Sequence, residues 1–162
     1  MKTVGQKLSR FEVTGVKPGA LTPDGAFETI TEKSFEGKWK VIVYYPKDFT
    51  FVCPTEIVAY DKLTQDFADR DAVLLTGSTD NEFCKLAWKK DNDLIRNIRH
   101  TLAADTGLEL SGELGVVDQH EQVCLRATYI VDPENTIQSI TVNALDTGRN
   151  VDETIRTLKA LK

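Results

Sequence analysis

The sequence lacks any apolar run near the roughly 20 residues that a membrane-spanning helix needs. Its first eight residues contain no apolar segment of the kind found in a secretion signal, so we predict a cytoplasmic protein. Positive charge is in the minority: 20 Lys and Arg stand against 25 Asp and Glu, and the net charge is −5. We therefore expect no general electrostatic attraction to nucleic acid or to an anionic membrane.

Patterns that bind metals or build disulfide scaffolds are also missing. The 162 residues include two His, three Cys and no Cys-x-x-Cys pair, which argues against a zinc site. An odd number of Cys in a chain with no secretion signal argues against a structural disulfide framework. No nucleotide or flavin motif is present, so we predict neither a metal nor a cofactor. Cys53, Cys84 and Cys124 are then either buried apolar filler or chemically active thiols.

What is present is typical of one globular unit. Hydrophobic residues make up 41% of the chain and charged residues 28%, and no repeat, low-complexity tract or linker divides it. We therefore predict a single domain over residues 1–162, long enough to bury a core.

The hydrophobic pattern predicts an α/β protein. Short strands near residues 11–13 and 27–30 lie between turn-rich segments, and residues 39–45 form an apolar, β-branched run typical of a strand buried on both faces. Further strands are expected at 72–76, 124–131 and 136–142, the last two joined by a turn at Asp132-Pro133-Glu134-Asn135. This order, with the helices described next, predicts a thioredoxin-like fold: a central mixed β-sheet flanked by helices, with an N-terminal extension.

Three helices are expected between and after these strands. The first follows Pro54 and carries apolar residues at helical spacing as far as Phe67. The second covers residues 81–98, with Phe83, Leu86 and Ala87 on its apolar side and Trp88 as a packing residue. The third covers residues 150–161.

Cys53 lies where the buried strand has ended and the first helix begins. Pro54 follows it, as is common in the first turn of a helix, where the missing N–H is not needed. A thiol at this position feels the positive end of the helix dipole, which favours the nucleophilic thiolate. Pro46 can shield the sulfur, and Thr50 lies three residues before it. On spacing alone, a reactive thiol and a buried filler residue remain equally plausible.

The residues around Cys53 resemble the active-site signature of the peroxiredoxins. Pro46-Lys47-Asp48-Phe49-Thr50-Phe51-Val52-Cys53 matches the pattern Pro-x-x-x-Thr-x-x-Cys, and its extension to Ile57 resembles the alkyl hydroperoxide reductase C branch. Two later segments, at residues 126–133 and 148–153, resemble the Arg-bearing strand and the entry to the last helix of the same family. The matches run in the family's order over most of the chain.

The resemblance implies a role for each matching residue. Cys53 would attack the terminal peroxide oxygen and become a sulfenic acid. Thr50 would exchange hydrogen bonds with thiolate and peroxide, Arg126 would stabilise the charge on both, and Pro46 would keep water from the sulfur. Taken alone, Thr50 is more simply a loop residue bonded to its own backbone, and Arg126 a surface charge.

The resemblance also implies a second layer of charged groups. Glu56 and Arg149 would position Arg126 by charge pairing. The simpler interpretation of Glu56 is an acidic residue placed favourably at a helix N-terminus.

The thiol that would reduce the oxidised Cys53 is less clear from the sequence. In the resembling branch a resolving Cys lies in a tail after the last helix, and here no Cys follows Cys124. Three explanations stay open: the sequence is cut to its folded part, one cysteine works with an external thiol, or Cys84 or Cys124 resolves Cys53. Cys124 and Arg126 are two residues apart, so in a strand they would share a face.

Partners and competing functions follow from the same resemblance. The substrate would be a peroxide, and the reductant a thioredoxin, a flavoprotein reductase or a small disulfide reductase. A homodimer assembled into a ring of dimers, a decamer or dodecamer, is expected, and with it a chaperone-like or redox-sensing alternative. A thiol–disulfide oxidoreductase is disfavoured because position 56 is Glu rather than Cys. In the resembling family a Gly-Gly-Leu-Gly insertion and a Tyr-Phe tail accompany easy overoxidation to sulfinic acid. Neither is present here, so the resemblance implies a bacterial-type enzyme that is robust to overoxidation.

Overall fold

The fold is built on one seven-stranded sheet. The computed structural model describes residues 2–50 and 52–162, with Val52 described by its backbone alone. The strands are β1 Glu12–Val16, β2 Phe27–Thr31, β3 Trp39–Tyr44, β4 Ala72–Ser78, β5 Thr101–Ala104, β6 Arg126–Val131 and β7 Ile137–Asn143. The helices are α1 Val52–Asp61, α2 Thr64–Ala68, α3 Glu82–Asp91, α4 Glu109–Leu114 and α5 Val151–Leu161.

The sheet is mixed, as predicted, with the order β2-β1-β5-β4-β3-β6-β7. β3, β4 and β5 run parallel to one another, and every other pairing is antiparallel. The N-terminal extension therefore belongs to the sheet, since β1 pairs with both β2 and β5.

β3 lies inside this sheet, between β4 and β6, and its side chains are buried on both faces. Ile42 and Tyr44 pack on one face against α4 and the N-terminal segment. Val41 and Val43 pack on the other face against α1, α2 and α5. A continuous apolar strand is expected where helices cover both faces of a sheet, so the prediction for residues 39–45 is confirmed.

The first predicted helix is broken and starts earlier than expected. α1 begins at Val52, so Cys53 lies inside its first turn rather than just before it. The helix ends at Asp61, where the Thr64 hydroxyl donates a hydrogen bond of 2.6 Å to the Asp61 carbonyl, and α2 follows as a separate short helix. A side chain that binds a backbone carbonyl in this way competes with the helical hydrogen bonds.

The second predicted helix is shorter than residues 81–98, because α3 ends at Asp91 and Asn92 is extended. Its predicted apolar side was right for Leu86, which is buried, and wrong for Phe83 and Ala87. Phe83 is 59% exposed and Ala87 is exposed, whereas two lysines, Lys85 and Lys89, are buried beside Leu86 and Trp88. The packing role expected of Trp88 is confirmed, since only 1% of it is exposed.

The last hairpin matches its prediction closely. The Asp132 carboxylate accepts hydrogen bonds from the backbone N–H of Glu134 at 2.9 Å and of Thr136 at 3.0 Å, which fixes the turn between β6 and β7. β6 itself begins at Arg126 rather than Cys124. Two elements, β5 and α4, were not predicted. In the part of the chain that the structure describes, no helix is long and apolar enough to cross a membrane.

Candidate active site

Cys53 lies at the floor of an open pocket between β3 and α1. β3 ends at Tyr44, a loop follows, and α1 begins at Val52, so Cys53 lies in the first turn of the helix that follows this loop. The residue is fully buried in the folded chain. The pocket has a volume of about 220 Å³ and is lined by Pro46, Lys47, Thr50, Cys53, Glu121, Arg126 and Leu145.

Arg126 brings a positive charge to the thiol. As the first residue of β6, next to β3 in the sheet, it directs its Nη1 to 3.5 Å from the Cys53 Sγ. The same nitrogen donates to Glu56 Oε1 at 2.6 Å, and Nε donates to the Leu145 carbonyl at 2.7 Å. The guanidinium is thus held at both ends, with one N–H edge facing the sulfur.

Glu56 holds two arginines at once. Its Oε2 accepts hydrogen bonds from the Arg149 backbone N–H at 2.8 Å and from Arg149 Nε at 3.0 Å, while Arg149 Nη2 donates to Oε1 at 3.1 Å. All three side chains, those of Glu56, Arg126 and Arg149, are at most 7% exposed. Burial alone raises the pKa of Glu56, but hydrogen bonds and charge from Arg149, with the charge of Arg126, outweigh it and lower the pKa overall. The carboxylate therefore stays ionised.

Thr50 and Pro46 approach the sulfur from the loop. Pro46 is buried and Thr50 is half-buried, and both line the pocket. The Thr50 hydroxyl donates to the Lys47 carbonyl at 3.2 Å. Its oxygen lone pairs stay available to accept a hydrogen bond, and the hydroxyl can rotate to donate one. Both interpretations of Thr50, a local loop contact and a pocket group, thus apply to the same side chain.

The other two cysteines are not part of this pocket. Cys84 is half-buried in the first turn of α3, where burial and the charges of Asp48 and Asp80 raise its thiol pKa to about 11. Cys124 is buried, and burial together with the charge of Asp105 raises its pKa to about 12. Neither is a good thiolate near neutral pH.

The expectation that Cys124 and Arg126 share a face was wrong. Cys124 precedes β6 and packs in the core on the α4 side of the sheet, together with Ala127 and Tyr129. Strict alternation of side chains applies only inside a strand, and Cys124 lies outside it.

One group of potential metal ligands exists among the described residues, formed by Asp48, Asp80 and Cys84 within 4.8 Å of one another. The ammonium of Lys85 lies 3.1 Å from the Asp48 carboxylate and already supplies a positive charge there. We propose no metal site at this position.

Sequence reasoning missed part of the pocket. Glu121 lies on an exposed turn before β6, and Leu145 presents a carbonyl from the loop between β7 and α5. Neither residue belongs to a periodic element, so the hydrophobic pattern carried no information about where these loops close on the site.

The AhpC/TSA family matches residues 4–140 of the chain. The chain belongs to this family. Among its relatives, alkyl hydroperoxide reductase C of Mycolicibacterium smegmatis is 43% identical over 166 residues, covering 99% of this chain and 85% of that protein. Peroxiredoxin TSA1-B of Candida albicans is 41% identical over 143 residues, covering 86% of this chain and 72% of the relative.

Solved structures of AhpC agree with the fold of this AhpC/TSA family member. AhpC of Mycobacterium tuberculosis matches it with a TM-score of 0.92 at 40% identity, over 99% of this chain and 93% of that one. AhpC of Enterococcus faecalis gives the same TM-score and coverage at 31% identity. The predicted thioredoxin-like fold and the resemblance to the alkyl hydroperoxide reductase C branch are confirmed. The chain is a thiol peroxidase, an oxidoreductase that takes a peroxide substrate and a thiol reductant.

Proposed function

We propose that Cys53 is the residue that reduces the peroxide. The observation that carries the proposal is the contact of 3.5 Å between the Cys53 Sγ and Arg126 Nη1, in the first turn of α1 and at the floor of a pocket. The helix dipole and the guanidinium both favour a negative sulfur. The pocket is open to a small molecule, while the burial of Cys53 keeps bulk solvent from the sulfur.

The first step forms one S–O bond and breaks one O–O bond. The Cys53 thiolate attacks the terminal oxygen of the peroxide, and Cys53 becomes a sulfenic acid. The other oxygen leaves as hydroxide or alkoxide and takes up a proton from water, which gives water or an alcohol. The sulfur is oxidised by two electrons, and the peroxide is reduced by two.

Each neighbouring residue contributes to this step through its position. Arg126 faces the sulfur, so it stabilises the thiolate before attack and the charge that moves onto the leaving oxygen during attack. Thr50 lines the pocket beside it and offers a hydroxyl to the bound peroxide. Pro46 covers the loop side of the sulfur. Glu56 and Arg149 act through Arg126 and fix the direction of its guanidinium.

We propose that a thiol from outside residues 1–162, either on a longer form of the chain or on a separate molecule, resolves the sulfenic acid. That thiol attacks the Cys53 sulfur, releases water and forms a mixed disulfide, which a second thiol reduces. The raised pKa values of Cys84 and Cys124 support this route over an internal one. Cys84 as the resolving residue is tested by non-reducing mass spectrometry after one equivalent of peroxide. A free Cys84 thiol is expected, and an intrachain Cys53–Cys84 bond would contradict the external route.

The family resemblance also supports three broader proposals. Residues 1–162 act as one peroxiredoxin domain in the cytoplasm. Homodimers assemble into a ring, which is a decamer or a dodecamer. Light scattering would measure the mass of this ring. The reductant is a thioredoxin, a flavoprotein reductase or a small disulfide reductase, and coupled assays with each would separate them. The chaperone-like or redox-sensing alternative stays a prediction, tested by the scattering of a heated client protein with and without Cys53.

The decisive experiment compares three Cys→Ser variants. Stopped-flow mixing with hydrogen peroxide or a small organic hydroperoxide should show a fast reaction in the wild type that is lost in Cys53→Ser. Cys84→Ser and Cys124→Ser are the matched controls and should keep the first, oxidative step. A fast reaction that survives in Cys53→Ser would overturn the proposal.

A further inference from the structure

A further buried cation, besides the two arginines of the site, lies next to the active-site loop. Lys85 of α3 is fully buried, and its Nζ donates to the hydroxyl oxygens of Ser78 at 2.6 Å and Tyr45 at 2.8 Å. It also lies 3.1 Å and 3.4 Å from the two carboxylate oxygens of Asp48. The side chains of Lys85 and Asp48 are both 0% exposed, so this ion pair is shielded from solvent.

Two of the three partners of Lys85 belong to the segment that carries Pro46 and Thr50, and the third, Ser78, ends β4. Tyr45 and Asp48 both lie in the loop between β3 and α1, and the Tyr45 hydroxyl donates to Asp48 Oδ1 at 2.5 Å. The Asp48 backbone N–H donates to Asp80 Oδ2 at 2.8 Å, and Ser78 donates to the same oxygen at 2.7 Å. Every polar group in this set has a partner, and Tyr45 and Asp48 join the loop to α3 through Lys85 while Asp48 also joins it to β4 through Ser78.

A buried ion pair of this kind is weak evidence for stability, because apolar residues of similar volume often do as well. Burial raises the pKa of Asp48, and the charge of Lys85 opposes that rise, so the lysine favours the ionised carboxylate. Rings from the loop and the helix also meet here: Phe49 and Tyr45 lie 6.0 Å and 5.9 Å from the ring of Trp88. These contacts fix the position of the loop more than they increase the stability of the core.

We propose that Lys85 is a positioning residue for the peroxide step, which it serves by holding the loop of residues 45–50, with Pro46 and Thr50, against Cys53. The inference rests on the proposed role of Cys53. The site then has two independent supports. Glu56 and Arg149 hold Arg126 and so the charge at the sulfur, while Lys85 holds the loop that receives the peroxide.

Because the two supports are independent, we predict that the loss of Lys85 will slow the reaction of Cys53 with peroxide but not its alkylation. Reaction with peroxide needs the loop in place, whereas alkylation by iodoacetamide needs only a reactive thiolate. In Lys85→Met, the second-order rate constant with hydrogen peroxide should fall about 10- to 100-fold, the usual cost of a small misplacement. The alkylation rate should stay within a factor of about 2, a free-energy change near 0.4 kcal/mol. Trp88 fluorescence should change as Phe49 and Tyr45 move.

Lys89→Met is the matched control. Lys89 lies on the same helix and is equally buried, but its Nζ donates to the Lys17 carbonyl at 2.9 Å instead of to the loop. It should keep the wild-type peroxide rate. If Lys85→Met does not fold because the buried Asp48 carboxylate has lost its counter-ion, the double variant Lys85→Met, Asp48→Asn removes both charges and carries the same test.

The outcomes separate the inference from the function on which it rests. A slow peroxide reaction with normal alkylation in a folded variant supports the inference. The inference is overturned if folded Lys85→Met, or the folded double variant, keeps the wild-type peroxide rate. It is also overturned if the peroxide rate and the alkylation rate fall in parallel. A wild-type protein that shows no fast reaction of Cys53 with peroxide would overturn the proposed function itself.

Discussion

At the scale of single residues, Glu56 is the group on which the geometry of the site depends. It binds both arginines, and each of the three side chains is at most 7% exposed. If Glu56 were replaced by a neutral amide, the buried guanidinium groups of Arg126 and Arg149 would have no carboxylate between them. They could at best both donate to one amide oxygen. A buried charge that loses its partner is costly, because water cannot replace the missing interaction.

We therefore expect Glu56→Gln to lower both stability and rate. The free energy of unfolding should fall by about 2 kcal/mol, and the peroxide rate constant should fall as Arg126 loses its orientation. Urea unfolding and stopped-flow kinetics measure the two effects. Glu153→Gln is the control, since Glu153 pairs with Arg156 on the exposed surface of α5 and should change neither value. Equal behaviour of the two variants would contradict the role given to Glu56.

Thr50 allows a sharper test of a single hydroxyl. Thr50→Val keeps the shape of the side chain but removes the hydrogen bond to the peroxide, and should slow the peroxide reaction about 100-fold. Thr50→Ser keeps the hydroxyl and should retain most of the rate. Stopped-flow kinetics with saturating reductant distinguish them. A valine variant as fast as the wild type would show that the hydroxyl is not needed for this step.

The residue scale also shows where sequence reasoning is reliable. The grouping of Cys53, Thr50 and Arg126 in one pocket could be predicted, because the family signature fixes the spacing of Thr50 and Cys53 and the Arg-bearing strand supplies Arg126. Lys85 could not be predicted. Lysine is almost never fully buried unless it is paired, and its partner Asp48 is 37 residues away in sequence.

At the scale of elements, α3 matters because it carries Lys85. Its N-terminus is capped by Asn81, whose side-chain oxygen accepts a hydrogen bond of 2.8 Å from the Cys84 backbone N–H. The cap and the buried ion pair together fix both the start of the helix and its distance from the loop.

Asn81→Ala should lower the free energy of unfolding by about 1 kcal/mol, because a backbone N–H loses its partner. Asn81→Asp retains a capping oxygen and should stay close to the wild type. Chemical denaturation of both variants measures the difference. An alanine variant as stable as the aspartate one would show that the cap contributes nothing to the fold.

The elements that were predicted and those that were missed differ in length and composition. β3 could be predicted because six consecutive residues are aromatic, β-branched or lysine with a long aliphatic stem. β5 is only four residues, Thr101-Leu102-Ala103-Ala104, and α4 is six residues with a glycine inside. Segments this short have too few residues to show a period, so tertiary packing decides their structure.

At the scale of the whole molecule, His100 couples stability to pH. It is buried where α1, β4 and β5 meet, and Nδ1 lies 2.7 Å from Asp61 while Nε2 lies 2.9 Å from the Thr76 hydroxyl. Burial lowers the pKa of His100 below its ordinary value of 6.5, although Asp61 acts in the opposite direction. The ring therefore stays neutral in the folded chain, with Nδ1 donating to Asp61 and Nε2 accepting from Thr76.

The sign of the pH dependence follows from this difference. As the pH falls below 6.5, the unfolded chain takes up a proton at His100 before the folded chain does, so the free energy of unfolding should decrease. Urea unfolding over a pH series measures this slope. His100→Gln should flatten it, whereas His120→Gln, on an exposed turn, should leave it unchanged. The same slope in all three proteins would contradict the assignment.

The formal charges of the groups buried beneath the pocket can be added together. Glu56 contributes one negative charge and Arg126 and Arg149 contribute two positive ones, so the cluster is neutral only when Cys53 is a thiolate. A sulfenic acid carries no charge, and the same cluster then holds an excess cation shielded from water. Burying an unbalanced charge is unfavourable, and opening the site to solvent relieves it. The first step thus removes one of the two negative charges that balance Arg126 and Arg149, so contact with water becomes more favourable for the oxidised site than for the thiolate.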